Sequence, residues 1–456
     1  MPVPRLLPLT ILLCLLAPCA SAGASHAQPL TFEAPRDLLN PVTRPAALNE
    51  LQSLGVHSLR VILRWRDVAP GPNEKQQPNF EPSDPKAYAW GEYDALMAAA
   101  KARNWPVLMT VSGPVPLWAT KDKLDNVTRP SASAFAAFMT AVGRKYGDQV
   151  NLWAIWNEPN QPQFLRPQFA RGGRATSPLI YRSLYLAGQR GLRKAGQGSD
   201  TILLGETSPR GNSRVVAPLA FLRGVLCLNA KYKRVGKCAP LSAGGYAHHA
   251  YTTRQGPSFK PPQPDDVTIG ALSRLTKALD RARASGAVTS RLALHLTEFG
   301  IQSTPDTISG VSLAKQVEYR AIAEKIAYDN PRVASFSQYL LRDSDATGPK
   351  EYAGFESGLR FADGKPKPSL PAFRLPLAVQ RRGSKATVWG LVRPATGVTS
   401  VTVSYANRGS SRFLPLKTVQ TNALGYFTFS TAYRAGRRWN VTWQGQSGSP
   451  VGSYTR

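Results

Sequence analysis

Short apolar runs alternate with longer stretches of helical period from residue 30 to residue 341. Each run has the continuous hydrophobicity of a strand buried on both faces, and each longer stretch repeats its apolar residues as an amphipathic helix does. The runs predict strands at residues 30–34, 58–63, 106–113, 150–156, 201–206, 244–251, 291–300 and 334–341. Strand and helix alternation of this kind over about 350 residues is typical of a (β/α)8 TIM barrel with long loops, an α/β fold; a doubly wound sheet is the weaker alternative.

The pattern changes after the proline-rich stretch GKPKPSLPAFRLPL at residues 364–377. Beyond it, the short β-prone runs ATVWGLV, SVTVSYA, GYFTFST and WNVTW are separated by Gly, Asn and Ser. Such spacing is typical of a small all-β sandwich. The sequence therefore predicts two domains, a barrel at residues 28–375 and a basic β-sandwich at residues 376–456.

The N-terminus has the pattern of an export signal. Arg5 precedes the apolar stretch LLPLTILLCLL, which is shorter than the roughly 20 residues that span a bilayer, and ASA follows at residues 20–22 as a small-residue cleavage site. We assign residues 1–22 to a signal peptide; cleavage after Ala27 and an uncleaved anchor are the alternatives. The mature chain is expected to be secreted, extracellular and without a transmembrane segment.

Cysteine usage agrees with export. Cys14 and Cys19 lie in the predicted signal, which leaves Cys227 and Cys238. An even count in an oxidising compartment predicts a disulfide that closes the short loop between these two residues. Because the sequence contains no zinc-type spacing, phosphate-cradling glycine loop or nucleotide fingerprint, we expect neither a metal nor a cofactor.

The chain is strongly basic, with 57 Lys and Arg against 28 Asp and Glu and a formal net charge of +29. The predicted sandwich contains no acidic residue, and its basic residues are Arg381, Arg382, Lys385, Arg393, Arg408, Arg412, Lys417, Arg434, Arg437, Arg438 and Arg456. One interpretation is attraction to an anionic cell-envelope or matrix polymer, and the other is a genome-wide arginine bias with solvated side chains. Nucleic acid is not expected as a partner, because the export signal and the central acidic motifs point elsewhere.

Two glutamates follow predicted barrel strands directly. Glu158 comes after the fourth strand in LWAIWNEPNQPQF, and Glu298 lies at the end of the seventh in LTEFG. Reacting groups of such barrels come from the carboxyl ends of the strands, so both side chains are expected at the barrel mouth. Two carboxyl groups in one cleft, one protonated and one ionised, are the equipment of glycoside hydrolysis.

The motif WNEPN at residues 156–160 resembles the acid/base motif of clan A glycoside hydrolases, and TEFG at residues 297–300 resembles their nucleophile motif. The resemblance implies that Glu158 is the general acid/base, that Glu298 is the nucleophile, and that Asn157 donates a hydrogen bond to the sugar 2-hydroxyl. We therefore expect carboxyl groups about 5–5.5 Å apart and retention of anomeric configuration.

Further motifs extend the resemblance over most of residues 30–375. RVILRW is similar to the second-strand segment whose arginine, here Arg60, lies beneath the nucleophile. HAY resembles the sixth-strand motif whose tyrosine, here Tyr251, contacts the nucleophile and whose histidine, His249, lines the sugar site. The adjacent His248 is expected to point away, because alternate residues of a strand face opposite ways.

By this resemblance, the substrate-binding residues are Asn157, Arg60, His249 and Tyr251. Three other residues are assigned to substrate with structural alternatives beside them. PLWA looks like the third-strand loop of the clan, where Trp118 would meet substrate, and Trp65 is a second aromatic candidate; for both, packing is the competing role. Glu206 ends the fifth predicted strand and is expected near the mouth. There it would bind a sugar hydroxyl, tune Glu158 or make a structural hydrogen bond.

Within the clan, a family 39-like hydrolase with a trailing β-sandwich is the nearest likeness, followed by family 5 cellulase-like enzymes. One departure is Gln338 and Tyr339, which stand where many clan members place a substrate-stacking tryptophan. We expect a monomeric, retaining hydrolase of β-glycosidic bonds in a polysaccharide or oligosaccharide. The alternative is a non-catalytic protein that binds polysaccharide at a surface on a glycosidase-like scaffold.

Overall fold

The computed structural model describes residues 28–344 and 354–455, so the predicted signal peptide lies outside the described residues. The described chain forms a closed barrel of eight parallel strands, followed by two four-stranded sheets. The fold predicted from the hydrophobic pattern is therefore confirmed. The doubly wound alternative is excluded, because the first strand pairs with the eighth.

The barrel strands begin and end close to the predicted runs. They are β1 (Leu30–Glu33), β2 (Ser58–Arg64), β3 (Val107–Ser112), β4 (Leu152–Ile155), β5 (Thr201–Thr207), β6 (Gly245–His249), β7 (Leu294–Glu298) and β8 (Val333–Tyr339). β1 closes the barrel, since Phe32 pairs with Leu59 of β2 and Glu33 pairs with Tyr339 of β8. All eight strands run in one direction, so their carboxyl ends open at the same face, which we call the mouth.

Helices connect the strands and cover their outer faces. The α-helices of the described residues are α1 (Pro35–Leu38), α2 (Arg44–Ser53), α3 (Trp65–Val68), α4 (Gly91–Lys101), α5 (Ala132–Tyr146), α6 (Ser177–Lys194), α7 (Pro218–Val225), α8 (Leu272–Ala284), α9 (Leu313–Tyr328) and α10 (Ser369–Arg374). Inside the barrel, Leu108, Ala154, Leu203 and Ala247 form a small buried cluster from four neighbouring strands. This packed layer fills part of the barrel interior beneath the mouth.

The C-terminal region forms a β-sandwich. Its strands are β9 (Leu377–Arg382), β10 (Lys385–Leu391), β11 (Ser400–Ala406), β12 (Leu414–Gln420), β13 (Tyr426–Ala432), β14 (Arg438–Trp443), β15 (Gln446–Ser447) and β16 (Ser453–Tyr454). One sheet has the order β13-β10-β9-β16 and the other β12-β11-β14-β15, and their inner faces share one apolar core. The sequence pattern missed β9 and β12, whose residues are charged at the end of one and exposed along most of the other.

The sandwich packs against barrel helix α9. Val317 of α9 belongs to the apolar core of the sandwich. Arg393, which is buried, donates a hydrogen bond to Glu324 of the same helix. The change from barrel to sandwich falls between α10 and β9, and the two parts share a buried interface.

The disulfide predicted between Cys227 and Cys238 is confirmed; the two Cα atoms are 6.1 Å apart. It closes the loop that follows α7. In the ranges 28–344 and 354–455, no helix combines the length and apolar content needed to cross a membrane.

Candidate active site

Glu158 and Glu298 both lie at the mouth: Glu158 comes just after β4, and Glu298 is the last residue of β7. β4 ends at Ile155, and the chain turns sharply through Trp156 and Glu158, whose φ angles are 71° and 39°. Residues with side chains rarely adopt this left-handed region, and such strain tends to occur at functional sites. The backbone N–H of Glu158 donates to the carbonyl of Glu206 at 3.0 Å, which holds the turn against β5.

His249, the last residue of β6, lies between the two glutamates. Its Nδ1 is 2.9 Å from Oε1 of Glu158 and 3.6 Å from Oε2 of Glu298. The register of β6 and β7 sets His249 opposite Glu298. Because one ring nitrogen reaches both carboxylates, the two glutamates face the same small space.

Two donors hold the carboxylate of Glu298 in place. The hydroxyl of Tyr251 donates to Oε1 at 2.6 Å, and Nη1 of Arg60 donates to Oε2 at 3.1 Å. Hydrogen bonds to the charged form of a carboxyl group stabilise that form. The structure thus places Tyr251 and Arg60 where the sequence resemblance put them, in contact with the candidate nucleophile.

Arg60 is the centre of a buried charge network beneath the mouth. Its guanidinium is fully buried and donates to Oε2 of Glu206 at 2.7 Å and to Oδ1 of Asn157 at 2.9 Å. It also forms an ion pair with Glu33. Arg60 therefore orients the acids above it. The expected contact of Arg60 with substrate is wrong, because no ligand atom can reach a fully buried guanidinium.

Within the part of the chain that the structure describes, no cluster of acidic, histidine or cysteine side chains could hold a metal ion.

Glu206 lies below the mouth, and the sequence expectation for it needs correction. Its side chain is completely buried and accepts hydrogen bonds from Arg60 and, at 3.0 Å, from Oγ1 of Thr110. β5 continues past Glu206 to Thr207, so this carboxylate points into the barrel interior and not into the cleft. Of the roles considered for Glu206, the structural hydrogen bond is the one observed, and contact with a sugar hydroxyl is excluded by its burial.

Trp65 and Trp118 also differ from their expected role. Trp65 is fully buried and stacks on Phe138 of α5, with ring centroids 5.0 Å apart. Trp118 contacts Trp65 edge to face at 5.7 Å, and its indole N–H donates to the carbonyl of Pro70 at 3.1 Å. Both tryptophans are buried against aromatic neighbours, so they serve the packing of the barrel wall.

Asn157 lies beside Glu158 with part of its amide in use. Its Oδ1 accepts from Arg60, and its backbone N–H donates to Oγ of Ser112 at 3.0 Å. Its Nδ2 forms no hydrogen bond with any residue in the described ranges. This amino group is available to donate to a sugar hydroxyl next to Glu158.

His248 and His249 point in opposite directions, as alternation along β6 predicts. Nδ1 of His248 lies 3.0 Å from Oγ1 of Thr207, and Nε2 lies 2.8 Å from the carbonyl oxygen of Val267. Burial lowers the pKa of His248 to about 4, so this ring is neutral at physiological pH. His248 supports the barrel wall, and His249 alone of the pair reaches the glutamates.

The surroundings move the pKa values of the two glutamates in opposite directions. Burial raises the pKa of Glu158, although its hydrogen bond with His249 opposes this change. Burial would also raise the pKa of Glu298, but the charges of His249 and Arg60 and the hydrogen bond from Tyr251 outweigh it and lower that pKa. One protonated and one ionised carboxyl group in the same cleft is the arrangement that acid and nucleophile roles require.

Glu33 is a member of the site that the sequence analysis missed. It is the last residue of β1, it is buried, and it pairs with Arg60. Burial raises its pKa to about 7, although the attraction of Arg60 opposes this rise. The signal that could have identified Glu33 is the one that identified Glu158 and Glu298, an acid at the end of a predicted barrel strand.

The closed barrel and the paired acids at its mouth are features that other proteins share. No protein-family model and no curated protein matches the sequence of this chain. Among solved structures, it is similar to a glucosidase from Croceicoccus marinus, with 12% identity and a TM-score of 0.54 over 91% of this chain and 95% of that chain. It is also similar to a family 39 glycoside hydrolase from Bacteroides cellulosilyticus WH2, with 15% identity and a TM-score of 0.51 over 91% and 81%. A monomeric β-xylosidase from Caulobacter crescentus CB15 gives 15% identity and a TM-score of 0.51 over 91% and 94%. At such low identities, the likeness establishes a shared fold.

Proposed function

We propose that this protein is a retaining glycoside hydrolase that cleaves β-glycosidic bonds of a polysaccharide or oligosaccharide, with Glu158 as general acid/base and Glu298 as nucleophile. The observation that supports this best is the contact of one nitrogen, His249 Nδ1, with both carboxylates at 2.9 and 3.6 Å. This shared contact favours the separation of about 5–5.5 Å found in retaining enzymes over the roughly 6.5–9.5 Å of inverting ones.

In the first step, protonated Glu158 gives its proton to the glycosidic oxygen while Glu298 attacks the anomeric carbon. The bond to the leaving sugar breaks with its electron pair on the oxygen, and a covalent glycosyl–enzyme forms. Burial prepares Glu158 for this step because it raises the pKa and so favours the protonated form, and Arg60 and Tyr251 prepare Glu298 by stabilising its charge.

In the second step, Glu158, now ionised, takes a proton from a water molecule that attacks the anomeric carbon, and Glu298 leaves. The ring of His249, 2.9 Å from Glu158, stabilises the carboxylate between the two steps when it is protonated. The free amino group of Asn157 is placed to donate to the sugar 2-hydroxyl. Two inversions at one carbon give net retention.

Proton NMR of the first-formed product tests this proposal. We expect the β anomer to appear first and then mutarotate; an initial α anomer would contradict the double displacement. A 2-deoxy-2-fluoro glycoside with a good leaving group should label the peptide that contains Glu298, and Glu298→Gln should abolish the label. Asp148→Asn is the matched control, because Asp148 is an exposed acid outside the barrel.

The competing proposal is a non-catalytic polysaccharide-binding protein on the same scaffold. It predicts measurable glycan binding with no turnover in a broad screen of aryl β-glycosides and polysaccharides. The opposite pKa displacements of Glu158 and Glu298 favour the enzyme, because a protein that only binds sugar has no need of them.

We further propose that the sandwich attaches the protein to an anionic cell-envelope or matrix polymer outside the cell, where the N-terminal signal pattern would deliver it. The loops after β9, β11 and β13 meet at the end of the sandwich opposite to its buried contact with α9. The N–H of Tyr433, after β13, donates to the carbonyl of Ser384, after β9, at 2.8 Å. Arg437, in the same loop as Tyr433, donates to Asn407, after β11, at 3.1 Å. This region, the basic end, contains Arg381, Arg382, Lys385, Arg408, Arg412, Arg434, Arg437 and Arg438. Arg456 lies outside the described residues.

A further inference from the structure

The inward face of β2 rises from the buried network to the open mouth. Arg60 is buried, Ile62 is partly exposed and Arg64 is exposed, whereas Val61 and Leu63 between them are buried. Alternate residues of a strand share a face, so Arg64 points to the same side of β2 as Arg60. Arg64 is four residues further toward the mouth than Arg60 and is exposed to solvent.

The register of the barrel places Arg64 at the height of the acid/base motif. Arg64 pairs with Ser112 at the end of β3, and the hydroxyl of Ser112 accepts the backbone N–H of Asn157. Asn157 immediately precedes Glu158. Arg64 and the candidate acid/base therefore border the same level of the cleft, where substrate would lie.

The guanidinium of Arg64 has no protein partner in the described ranges. Only its backbone is engaged, through the N–H that approaches the hydroxyl of Tyr93 at 3.3 Å. The lower arginine on the same face, Arg60, is by contrast surrounded by three carboxylates. Arg64 thus presents an uncompensated positive charge and a full set of N–H donors to the cleft.

Tyr339 lies across β1 from β2, at the level of Arg60. It is the last residue of β8 and pairs with Glu33, at which β1 ends. Its hydroxyl also has no hydrogen-bond partner among the described residues. Burial raises the pKa of Tyr339, and Glu298 and Glu33 raise it further. The charges of Arg60 and, more weakly, of Arg64 oppose this rise.

Two loops at the mouth add to the positive charge. Residues 157–176 after β4 and residues 208–217 after β5 contain no acid other than Glu158. The basic residues of these two loops are all exposed; they are Arg166, Arg171, Arg174, Arg210 and Arg214. Arg166 is partly compensated by Asp125 at 3.6 Å. These two loops carry an excess of positive charge, which attracts an anionic ligand.

We propose that the substrate is an acidic glycan and that Arg64 and Tyr339 bind the carboxylate of a uronate residue in it. The proposal rests on the hydrolase function above and names the substrate class of the same cleft. A guanidinium fork matches the geometry of a carboxylate, and a tyrosine hydroxyl supplies a further donor. Tyr339 stands where many clan members place a substrate-stacking tryptophan. At this position the hydroxyl of a tyrosine would donate a hydrogen bond to substrate in place of the apolar contact of a tryptophan.

The first test uses 4-nitrophenyl β-D-glucuronide, β-D-glucoside and β-D-glucoside 6-sulfate, which differ only at carbon 6. We expect kcat/KM for the glucuronide to exceed that for the glucoside by about 10- to 100-fold, the range of a charge-assisted hydrogen bond. Arg64→Gln should remove most of this ratio and Arg64→Lys should retain part of it. Arg190→Gln, which removes an exposed arginine of α6, should leave the ratio unchanged. A preference for the 6-sulfate over the glucuronide would overturn the uronate assignment.

The second test measures binding, so it does not depend on turnover. The full-length Glu298→Gln variant is titrated with oligomers of glucuronate, galacturonate and mannuronate, and with the same oligomers after chemical reduction of their carboxyl groups. We expect at least one native oligomer to bind about tenfold or more tightly than its reduced form. The basic end of the sandwich also attracts anions, so each of two substitutions is combined with Glu298→Gln and the two double variants are compared. The variant with Arg64→Gln should lose the preference for the native oligomer, and the variant with Arg190→Gln should keep it.

The outcomes separate the two proposals. Equal cleavage of glucuronide and glucoside, with a ratio that Arg64→Gln does not change, overturns the acidic-substrate proposal and leaves the hydrolase proposal standing. Absence of cleavage both here and in the broad screen of aryl β-glycosides and polysaccharides overturns the hydrolase proposal, and the oligomer titrations then decide the uronate site alone. Equal binding of native and reduced oligomers overturns the site.

Discussion

Arg60 and Glu206 form a salt bridge of 2.7 Å in which both side chains are almost completely shielded from solvent. The pair joins β2 to β5 beneath the mouth, and the same guanidinium donates to Glu298 at 3.1 Å. A buried ion pair is costly to break from one side, because the remaining charge stays desolvated without its partner. The network that stabilises the candidate nucleophile therefore also stabilises the barrel.

Glu206→Ala should destabilise the protein strongly. Removal of one partner of a buried pair typically costs about 3–5 kcal/mol. Here Arg60 would lose the two hydrogen bonds that Glu206 accepts from it and would keep only Glu33 and Glu298 as carboxylate partners. Urea unfolding followed by circular dichroism gives the change in the free energy of unfolding. Asp363→Asn is the control, since Asp363 pairs with Lys365 on the surface and its loss should have little effect. Equal midpoints for the two variants would contradict this account.

Glu158→Ala should reduce kcat/KM by about 10²–10⁴ on substrates with poor leaving groups, the usual contribution of a general acid. Activated aryl glycosides need less proton donation, so they should lose less in the first step. Azide should restore turnover of the activated substrate and yield a β-glycosyl azide, because a small anion fits the space of the missing carboxylate. Unchanged activity on unactivated substrates would remove Glu158 from the mechanism.

The dependence of activity on pH should be bell-shaped. Activity needs ionised Glu298 and protonated Glu158, so it falls at low pH as Glu298 gains a proton and at high pH as Glu158 loses one. Interaction with His249 lowers the pKa of both glutamates. His249→Gln should therefore move both limbs of kcat/KM to higher pH. A profile that keeps its position in this variant would show that His249 does not influence the pair.

Glu33 should make the folded protein less stable as the pH rises. Its pKa is raised from 4.5 to about 7, so between these values the folded state binds more protons than the unfolded state, and the free energy of unfolding falls with increasing pH. Glu33→Gln should flatten this decline between pH 5 and 7, although loss of its pair with Arg60 lowers stability overall. Urea unfolding at several pH values measures the slope, and an identical slope in both proteins would contradict the assignment.

Binding of the sandwich to anionic polymers should weaken with salt, because the screening length falls from about 10 Å at 0.1 M to about 3 Å at 1 M. A variant with Gln at four exposed positions of the basic end should co-sediment less with anionic envelope or matrix preparations. The four positions are Arg381, Arg382, Arg408 and Arg412. The control replaces four exposed basic residues of barrel helices, Lys101, Arg190, Lys194 and Lys277. Equal loss in both variants would indicate a general charge effect. Substitution is preferable to truncation at Leu377, because truncation would uncover Val317 of α9.

The sequence alone determined the barrel and the place of its two principal acids. Strands of a parallel barrel are covered on both faces, so each must be a continuous apolar run, and eight such runs were visible. Glu158 and Glu298 follow their strands directly, and strand ends meet at the mouth whatever the loops do. The disulfide followed from a count of two cysteines in the predicted exported chain, because no other partner was available.

Only the tertiary structure decided which other side chains reach the cleft. Glu33, Glu206 and Arg64 all lie at or near strand ends. Glu33 lies beneath the mouth beside Arg60, Glu206 is buried in the interior, and Arg64 is exposed to solvent. These differences arise because strand length and register set the height of each side chain. Trp65 left the substrate list because Phe138 of α5 stacks on it, and Trp118 because it packs edge to face against Trp65; both are contacts between distant segments. The gathering of the basic residues at one end of the sandwich likewise depended on how three separate loops fold together, which no local pattern encodes.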